Sequence, residues 1–431
     1  MRPLVGKLNN VGVIVLVALL IRCCVFYYYY FVYKTPGGIA PTPFASDAYD
    51  LLGRELVNGR GFSSWIFAYR PPLYPLFIAA VYSLTSQNNP LTVVFAQIVV
   101  SASVCLLTFG IARELGASER EQSLASLLVA VDPASVAISI WLMAETLANF
   151  FIAASLLFLI RLIKRHRLRD FADAALCGGS LALSALARPN AIYFVLVVAV
   201  VIIWLVSRPQ FKVAVVVLVF VVGVVPWYVR NYAYHRLFTF ATMSSFNLLF
   251  YKGVSVEQWS SDKPVTEIQA DLTYELERRL GIAGPRETYD GLSFWSYLVP
   301  ADPRAAGVML DMAFEIYLAH PLTYLLLLPV SLVKLLAFSD LSSQFGGVRW
   351  VELGLNAAFY VLALTGTVAI TRKKMWDWLS VTVLPIIYFL AVPMITGGIQ
   401  DTRARTNITA CLAILAAYGL NVLWSRRREH P

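Results

Sequence analysis

Residues 211–229 read FKVAVVVLVFVVGVVPWYV, an almost wholly apolar run. About 20 apolar residues in a helix are enough to cross the hydrocarbon core of a bilayer. Because lipid offers no partner to the open edge of a β-sheet, the pattern predicts an all-α polytopic membrane protein with about 10–12 transmembrane helices. Comparable runs lie at 11–33, 90–112, 143–163, 190–206, 320–338, 351–371, 378–395 and 406–424, with shorter or more polar ones at 122–140 and 171–187.

Composition agrees with this class. Apolar residues make up 58% and charged residues 14% of the 431 residues, and the mean hydropathy is +0.67. The net charge of +9 comes from basic loops between spans, which by the positive-inside rule mark the cytoplasmic side. The charge therefore indicates orientation in the bilayer, and we predict no nucleic-acid partner. The basic loops contain Arg161, Lys164, Arg165, Arg167 and Arg169; Arg208 and Lys212; Arg372, Lys373 and Lys374; and Arg426, Arg427 and Arg428.

The same rule orients the chain. With Arg2 and Lys7 inside, the first span exits near Lys34, and residues 35–89 are external. Within this loop, 47–58 and 71–86 are predicted to form interfacial helices, since 71–86 is too short to cross. Residues 232–318 form a larger polar external loop. Four apolar segments follow, which would leave the basic C-terminus outside, so we expect 305–338 to be interfacial, re-entrant or doubled.

The first external loop contains the first candidate site residues. Asp47 and Asp50 are three residues apart and share one face of the predicted helix. Asp47 is either a general base for a hydroxyl acceptor or a helix cap. Arg70 precedes two prolines at headgroup depth, where a guanidinium either binds a phosphate or extends to the interface as an ordinary anchor.

The remaining candidates lie at the external ends of helices. Glu145 begins an uninterrupted apolar helix at the membrane edge, where ionisable groups are costly and usually functional; the alternative is a stabilising interaction with the helix dipole. Asp132 before Pro133 is weaker, because this pair is common in turns. Several external arginines indicate an anionic ligand. They are Arg188, Arg230, Arg403 and Arg405.

Taken in order, these motifs resemble the GT-C superfamily, and more narrowly the bacterial relatives of protein O-mannosyltransferases and of the lipid A aminoarabinose transferase. The resemblance covers the whole chain and is strongest over residues 1–250. The motifs are Asp47 with Tyr49, Gly59-Arg60-Gly61-Phe62, Arg70-Pro71-Pro72-Leu73-Tyr74, Ala144-Glu145, Arg188-Pro189, Pro226-Trp227, Arg230-Asn231 and Arg403-Ala404-Arg405.

The resemblance implies a metal-independent glycosyltransferase that takes a sugar from a polyprenyl-phosphate carrier, such as undecaprenyl phosphate. Asp47 would be the catalytic base and Arg70 would contact the carrier phosphate, helped by Arg188, Arg230, Arg403 or Arg405. Glu145 would orient the acceptor or support the base. Many relatives have adjacent acidic residues where this chain has Asp47 followed by Ala48, so Asp50 is a second candidate for the base.

The resemblance also implies a domain division. A conserved seven-span module with the catalytic loop 34–89 would occupy residues 1–231. The external loop or small subdomain 232–318 and a variable membrane module 319–431 would follow. The active site would face the periplasm or cell exterior of a bacterial inner membrane.

Two other functions remain open. A lipid-linked polysaccharide polymerase or ligase also combines many spans with external arginines, but typically lacks an early catalytic Asp. A lipid-linked sugar transporter or flippase is expected to show mid-membrane charges and repeated halves. Arg22 is the mid-span charge that stands out, and no internal repeat is evident. No cofactor or metal is predicted, and the sugar, the acceptor (glycan, lipid or protein) and the oligomeric state are not specified by the sequence.

Overall fold

The computed structural model describes residues 2–33, 48–62, 70–85, 88–164, 170–298, 302–337, 349–397 and 402–429. Helices account for the regular structure of these residues, and no strand occurs among them. The all-α prediction is confirmed. The first half contains α1 (Arg2–Tyr27, continued by a π-helical turn at Tyr28–Val32), α2 (Tyr49–Val57), α3 (Leu73–Thr85), α4 (Pro90–Leu115), α5 (Glu119–Val131), α6 (Pro133–Ser139), α7 (Glu145–Lys164), α8 (Asp170–Ala187), α9 (Phe194–Leu205) and α10 (Gln210–His235).

The second half begins with short helices and returns to long apolar ones. It contains α11 (Met243–Phe246), a π-helical segment (Asn247–Gly253), α12 (Val254–Ser260), α13 (Val265–Leu280), α14 (Ala305–Ala319), α15 (Pro321–Ala337), α16 (Arg349–Arg372), α17 (Trp376–Thr396), the 3₁₀ segment Thr402–Ile408 and α18 (Thr409–Glu429).

Eight of the described helices are long and apolar enough to cross a membrane, and the number rises to ten if two bent pairs each form one span. The first bent pair is α5 with α6, at 52°. The second is α14 with α15, at 101°, and is either a broken span or a re-entrant loop. It coincides with the segment 305–338 that the charge rule marked as irregular. Helices α2 and α3 occupy the two short helical segments expected in the first external loop.

Arg22, the mid-span charge, is fully buried in α1 and joins three helices. Its Nε donates to Ser101 Oγ of α4 at 2.9 Å, and its Nη1 donates to the Ala130 carbonyl of α5 at 2.9 Å. A guanidinium inside a membrane bundle is stabilised by such acceptors, because lipid supplies none. The contacts of Arg22 therefore anchor α1 to the bundle.

Helices α16 and α18 approach each other through glycines. A Cβ on Gly366 would overlap the carbonyl oxygen of Leu415, and a Cβ on Gly419 would overlap that of Leu362. Small residues allow such backbone contact, which is a main source of helix association in membranes.

Gly366→Ala is expected to destabilise the protein by about 1–3 kcal/mol, because the added methyl group forces two backbones apart. Thermal unfolding in detergent measures this effect. Gly354→Ala is the matched control, since Gly354 lies in the same helix and a Cβ there would meet no atom within 4 Å. Equal melting temperatures for the two variants would contradict the close packing.

The region after α10 packs onto α14 and α15. Phe246 and Phe250 share one buried cluster with Met309 and Met312 of α14 and Leu327 of α15. Lys252, which is fully buried, extends this contact: its Nζ donates to the Met394 carbonyl at 3.0 Å and lies 3.4 Å from Ser331 Oγ. Burial lowers the pKa of Lys252 to about 8.

Stability should therefore rise with pH above 8. The unfolded chain keeps Lys252 protonated up to its ordinary pKa of 10.5, whereas the folded protein releases this proton near 8. The unfolded state binds more protons between these values, so the free energy of unfolding increases with pH there, by up to about 3 kcal/mol. Lys252→Met should remove this increase in denaturation measured at pH 7.5–10, whereas Lys263→Met, at an exposed lysine, should keep it. An unchanged pH dependence in Lys252→Met would refute the assignment.

Candidate functional site

Glu145 is the centre of a charged cluster formed by the ends of three elements. It is the first residue of α7 and is 3% exposed. Its Oε1 lies 3.1 Å from Arg188 Nη1 and 3.7 Å from Arg403 Nε. Arg188 follows the end of α8, and Arg403 lies in the 3₁₀ segment before α18. Three candidates that are distant in sequence therefore meet at one carboxylate.

Arg70 packs on Tyr49, the first residue of α2. It is 7% exposed, and its guanidinium stacks over the Tyr49 ring, 5.1 Å from the ring centre. Tyr49 packs edge-on against Tyr74 at 4.8 Å. Both tyrosines belong to the buried cluster that includes Ala144 and Ala187, the residues directly before Glu145 and Arg188. Tyr49, on which Arg70 stacks, therefore belongs to the same apolar cluster as the residues that precede Glu145 and Arg188.

Tyr74 lies near enough to Glu145 for the two side chains to interact electrostatically. Burial raises the pKa of its phenol well above the usual value, and the negative charge of Glu145 raises it further. Tyr74 stays protonated and donates its hydroxyl hydrogen to Gln97 Oε1 at 2.6 Å.

Gln97 holds the turn that precedes Glu145. Its Nε2 donates to the Ser139 carbonyl at 3.0 Å and to the Ile138 carbonyl at 3.2 Å, and also contacts the Trp141 carbonyl. Sequence reasoning missed this role. The available signal was an amide inside the apolar run 90–112, where an unsatisfied polar group is costly.

Of the two acidic candidates in the first loop, Asp50 lies within the described residues and Asp47 does not. Asp50 joins α2 to α3: Arg54 Nε donates to its Oδ2 at 2.7 Å, and the Tyr82 hydroxyl donates to its Oδ1. Asp47 lies outside the described residues. Ala48, directly after it, has a φ of 61°, a left-handed conformation that is uncommon for a residue other than glycine.

The other two candidate arginines, Arg230 and Arg405, bind groups outside the Glu145 cluster. Arg230 Nε donates to the Phe62 carbonyl at 2.9 Å, and its guanidinium stacks on Trp227 at 5.0 Å, which ties the first external loop to α10. Arg405 is buried against Asp132, with Nη2 2.8 Å from Oδ1 and both side chains 2% exposed. The predicted contacts of these residues with a carrier phosphate remain predictions.

No group of three or more His, Cys, Asp or Glu side chains that could hold a metal ion occurs within the described ranges, which do not include Asp47. The described residues include five cysteines. All five are free thiols, namely Cys23, Cys24, Cys105, Cys177 and Cys411.

Comparison with known proteins identifies the fold that holds these residues. Residues 69–229 match the family described as dolichyl-phosphate-mannose-protein mannosyltransferase. The structure is similar to that of the oligosaccharyltransferase AglB from Archaeoglobus fulgidus in complex with an inhibitory peptide and a dolichol-phosphate, with a TM-score of 0.56, 11% identity, and coverage of 98% of this chain and 50% of that chain. The chain has the GT-C fold. The resemblance to this superfamily is thereby confirmed.

Two further solved structures are similar to this chain to different extents. A second structure of the Archaeoglobus fulgidus oligosaccharyltransferase, with Zn and sulfate, gives a TM-score of 0.55 at 12% identity and covers 97% of this chain and 49% of that chain. The structure of ArnT from Cupriavidus metallidurans bound to undecaprenyl phosphate gives a TM-score of 0.37 at 15% identity. The match covers 96% of this chain and 78% of that chain. No curated protein matches the sequence significantly. The chain spans about half the length of the oligosaccharyltransferases it matches, and at these identities the likeness describes the fold alone.

Removing the charge of Glu145 should destabilise the folded protein. Glu145→Gln leaves the part-buried Arg188 and Arg403 without the buried carboxylate that they share, and we expect a loss of about 1–3 kcal/mol. Glu114→Gln is the control, because Glu114 pairs with Arg161 at 3.3 Å in a more exposed place, where a pair contributes less than about 1 kcal/mol. Denaturation in detergent micelles compares the two losses, and a larger effect of Glu114→Gln would contradict the central role of Glu145.

Proposed function

We propose that this GT-C protein is a glycosyltransferase that moves a sugar from a polyprenyl-phosphate carrier to a hydroxyl acceptor on the external face of a bacterial inner membrane. The observation that carries the proposal is the meeting of Arg188 and Arg403 at the single carboxylate of Glu145. Arg70 stacks on Tyr49, whose buried cluster includes the residues directly before Glu145 and Arg188. Two guanidinium groups and one carboxylate leave a net positive charge at the ends of the helices. Such a site attracts a phosphate, which arginine binds through directed, permanently charged hydrogen bonds.

Two comparisons support a lipid-phosphate donor. The matching family is described by a dolichyl-phosphate-linked sugar, and the match begins at residue 69, directly before Arg70. The oligosaccharyltransferase of the same fold was solved with a dolichol-phosphate. An external site has no ordinary supply of activated nucleotide sugars, so a membrane-borne donor also meets an energetic requirement.

The chemical step is a single inverting displacement. The acceptor oxygen attacks the anomeric carbon, the bond between that carbon and the phosphate oxygen breaks, and the electron pair leaves on the phosphate. Asp47 takes the acceptor proton. The developing phosphate charge is stabilised by Arg70, Arg188 and Arg403, which the folded protein holds in place before the reaction.

Glu145 affects this transfer step in two ways. Its carboxylate orients Arg188 and Arg403 toward one another, and its negative charge prevents the arginines from binding the phosphate product too tightly. Asp50, held by Arg54 and Tyr82, would keep α2 and α3 together beside Asp47. Arg230 would act in the same way by holding the loop at Phe62.

The proposal is tested with purified protein in nanodiscs and a panel of radiolabelled polyprenyl-phosphate sugars. Wild type should release sugar from one of these donors, to an acceptor or slowly to water, with inversion at the anomeric carbon. Asp47→Asn should lower turnover by about 10²–10⁴-fold with donor binding retained. Arg188→Gln should lower it by about 10²–10³-fold. Arg278→Gln, at an exposed arginine paired with Glu275, is the control and should retain full turnover.

Turnover that survives in Asp47→Asn would refute Asp47 as the base, and the same assay on Asp50→Asn would then test the second candidate. Failure of wild type to bind any polyprenyl-phosphate sugar would refute the donor class. That result would favour the polymerase or transporter interpretations of the sequence.

A further inference from the structure

Asp132 lies outside the Glu145 cluster, yet its carboxylate joins the first membrane module to the segment that carries Arg403. Its Oδ2 accepts hydrogen bonds from the backbone nitrogen of Ser135 at 2.9 Å and from Ser135 Oγ at 2.7 Å, which caps α6. Its Oδ1 accepts from Arg405 Nη2 at 2.8 Å, and Thr409 Oγ1 lies 3.3 Å from Oδ2. One carboxylate therefore holds both the start of α6 and the start of α18.

The Asp132–Arg405 pair is almost completely removed from solvent, at 2% exposure on each side. Arg405 Nε and Nη1 have no hydrogen-bond acceptor among the described residues. Tyr360 stacks on the guanidinium at 5.6 Å, and Glu352, also buried, interacts with it electrostatically. Asp132 thus supplies the hydrogen-bonded anion for a buried cation, and such a cation is strongly constrained in position.

Arg403 lies two residues before Arg405 in the same short 3₁₀ segment, Thr402–Ile408. A 3₁₀ helix rises about 2 Å per residue, so fixing Arg405 also fixes the backbone of Arg403 to within a short distance. Arg403 in turn contacts Glu145 Oε1 at 3.7 Å and Met143 Sδ at 3.0 Å. The path from Asp132 to Glu145 runs through this segment.

We propose that Asp132 is a positioning residue: by binding Arg405 it sets the place of the Thr402–Ile408 segment, and so holds Arg403 against Glu145. The consequence for turnover rests on the function proposed above. The positioning itself does not, because it is a statement about the segment that can be measured without any substrate.

If the pair only stabilised the fold, a variant that regains stability would also regain the position of the segment and turnover. Removing one partner of a buried ion pair is strongly destabilising, whereas replacing both partners by neutral groups often restores stability. The double variant Asp132→Asn/Arg405→Met therefore separates the two roles. Asparagine keeps an oxygen that can cap α6, and methionine keeps much of the length of the arginine side chain.

The experiment combines thermal unfolding, hydrogen–deuterium exchange and turnover. Asp132→Asn alone should lower the melting temperature, and the double variant should recover most of it. The amides of residues 402–408 should nevertheless exchange faster in the double variant than in wild type, and turnover should be lower by about 10- to 100-fold, as expected for a misplaced group at a reaction centre.

Arg403→Gln provides a direct test of coupling. It should reduce turnover strongly in the wild-type background and only slightly in the double variant, because Arg403 has already lost its position there. The matched control is Asp170→Asn/Lys212→Met, which removes another poorly exposed pair, with Nζ 3.0 Å from Oδ2, at the basic end of α8 and α10. That variant should leave both the exchange of 402–408 and turnover unchanged.

Unchanged exchange over 402–408 in the double variant would overturn the proposal, as would equal effects of Arg403→Gln in both backgrounds. If wild type turns over no polyprenyl-phosphate sugar, the proposed function fails, and the exchange measurement still decides whether Asp132 holds the segment.

Discussion

The carboxylate of Glu145, buried between Arg188 and Arg403, is the constraint on which the rest of the site depends. A charge at the edge of a membrane bundle is costly unless it has partners of opposite charge, and the two arginines come from elements far apart in sequence. The ends of α7 and α8 and the segment before α18 must therefore meet. Under the proposed function, the pairing that stabilises the fold would also present positive charge to the carrier phosphate.

An apolar and aromatic scaffold holds these charged groups in place. Tyr49 and Tyr74 pack against each other, and Tyr74 hydrogen bonds to Gln97, which also binds the carbonyls of the turn before Glu145. Arg230 binds the Phe62 carbonyl and keeps the first external loop against α10. Each contact replaces water with a fixed polar partner. Under the proposed function, this would reduce the reorganisation needed when a phosphate charge develops.

The two ends of the bundle are joined differently. The Asp132–Arg405 pair connects the start of α6 with the start of α18 inside the protein, whereas the Gly366 and Gly419 backbones bring α16 against α18 without any charge. Ion pairing fixes direction and register, and close backbone packing supplies much of the association. Together they place α18 and the segment before it so that Arg403 reaches Glu145.

Several features were predictable from the sequence, because they depend on local composition. Apolar runs such as 211–229 determine helices that cross a bilayer, the interruption near 305–338 follows from the basic residues that flank the last spans, and Glu145 is recognisable as an acid at a helix start. The resemblance of the ordered motifs to the GT-C superfamily indicated the fold. These inferences hold because hydrophobicity and helix signals act over about 20 residues or fewer.

The tertiary structure decided which polar residues share an environment. Arg403 and Arg405 are two residues apart in one motif, yet one contacts Glu145 and the other is buried against Asp132. Asp132 resembles an ordinary turn residue, and Gln97 an incidental polar residue in a span, until the folded chain gives them partners 273 and 42 residues away. Sequence patterns record what a residue is next to along the chain, whereas the cost of burying a charge or an amide depends on what lies next to it in space.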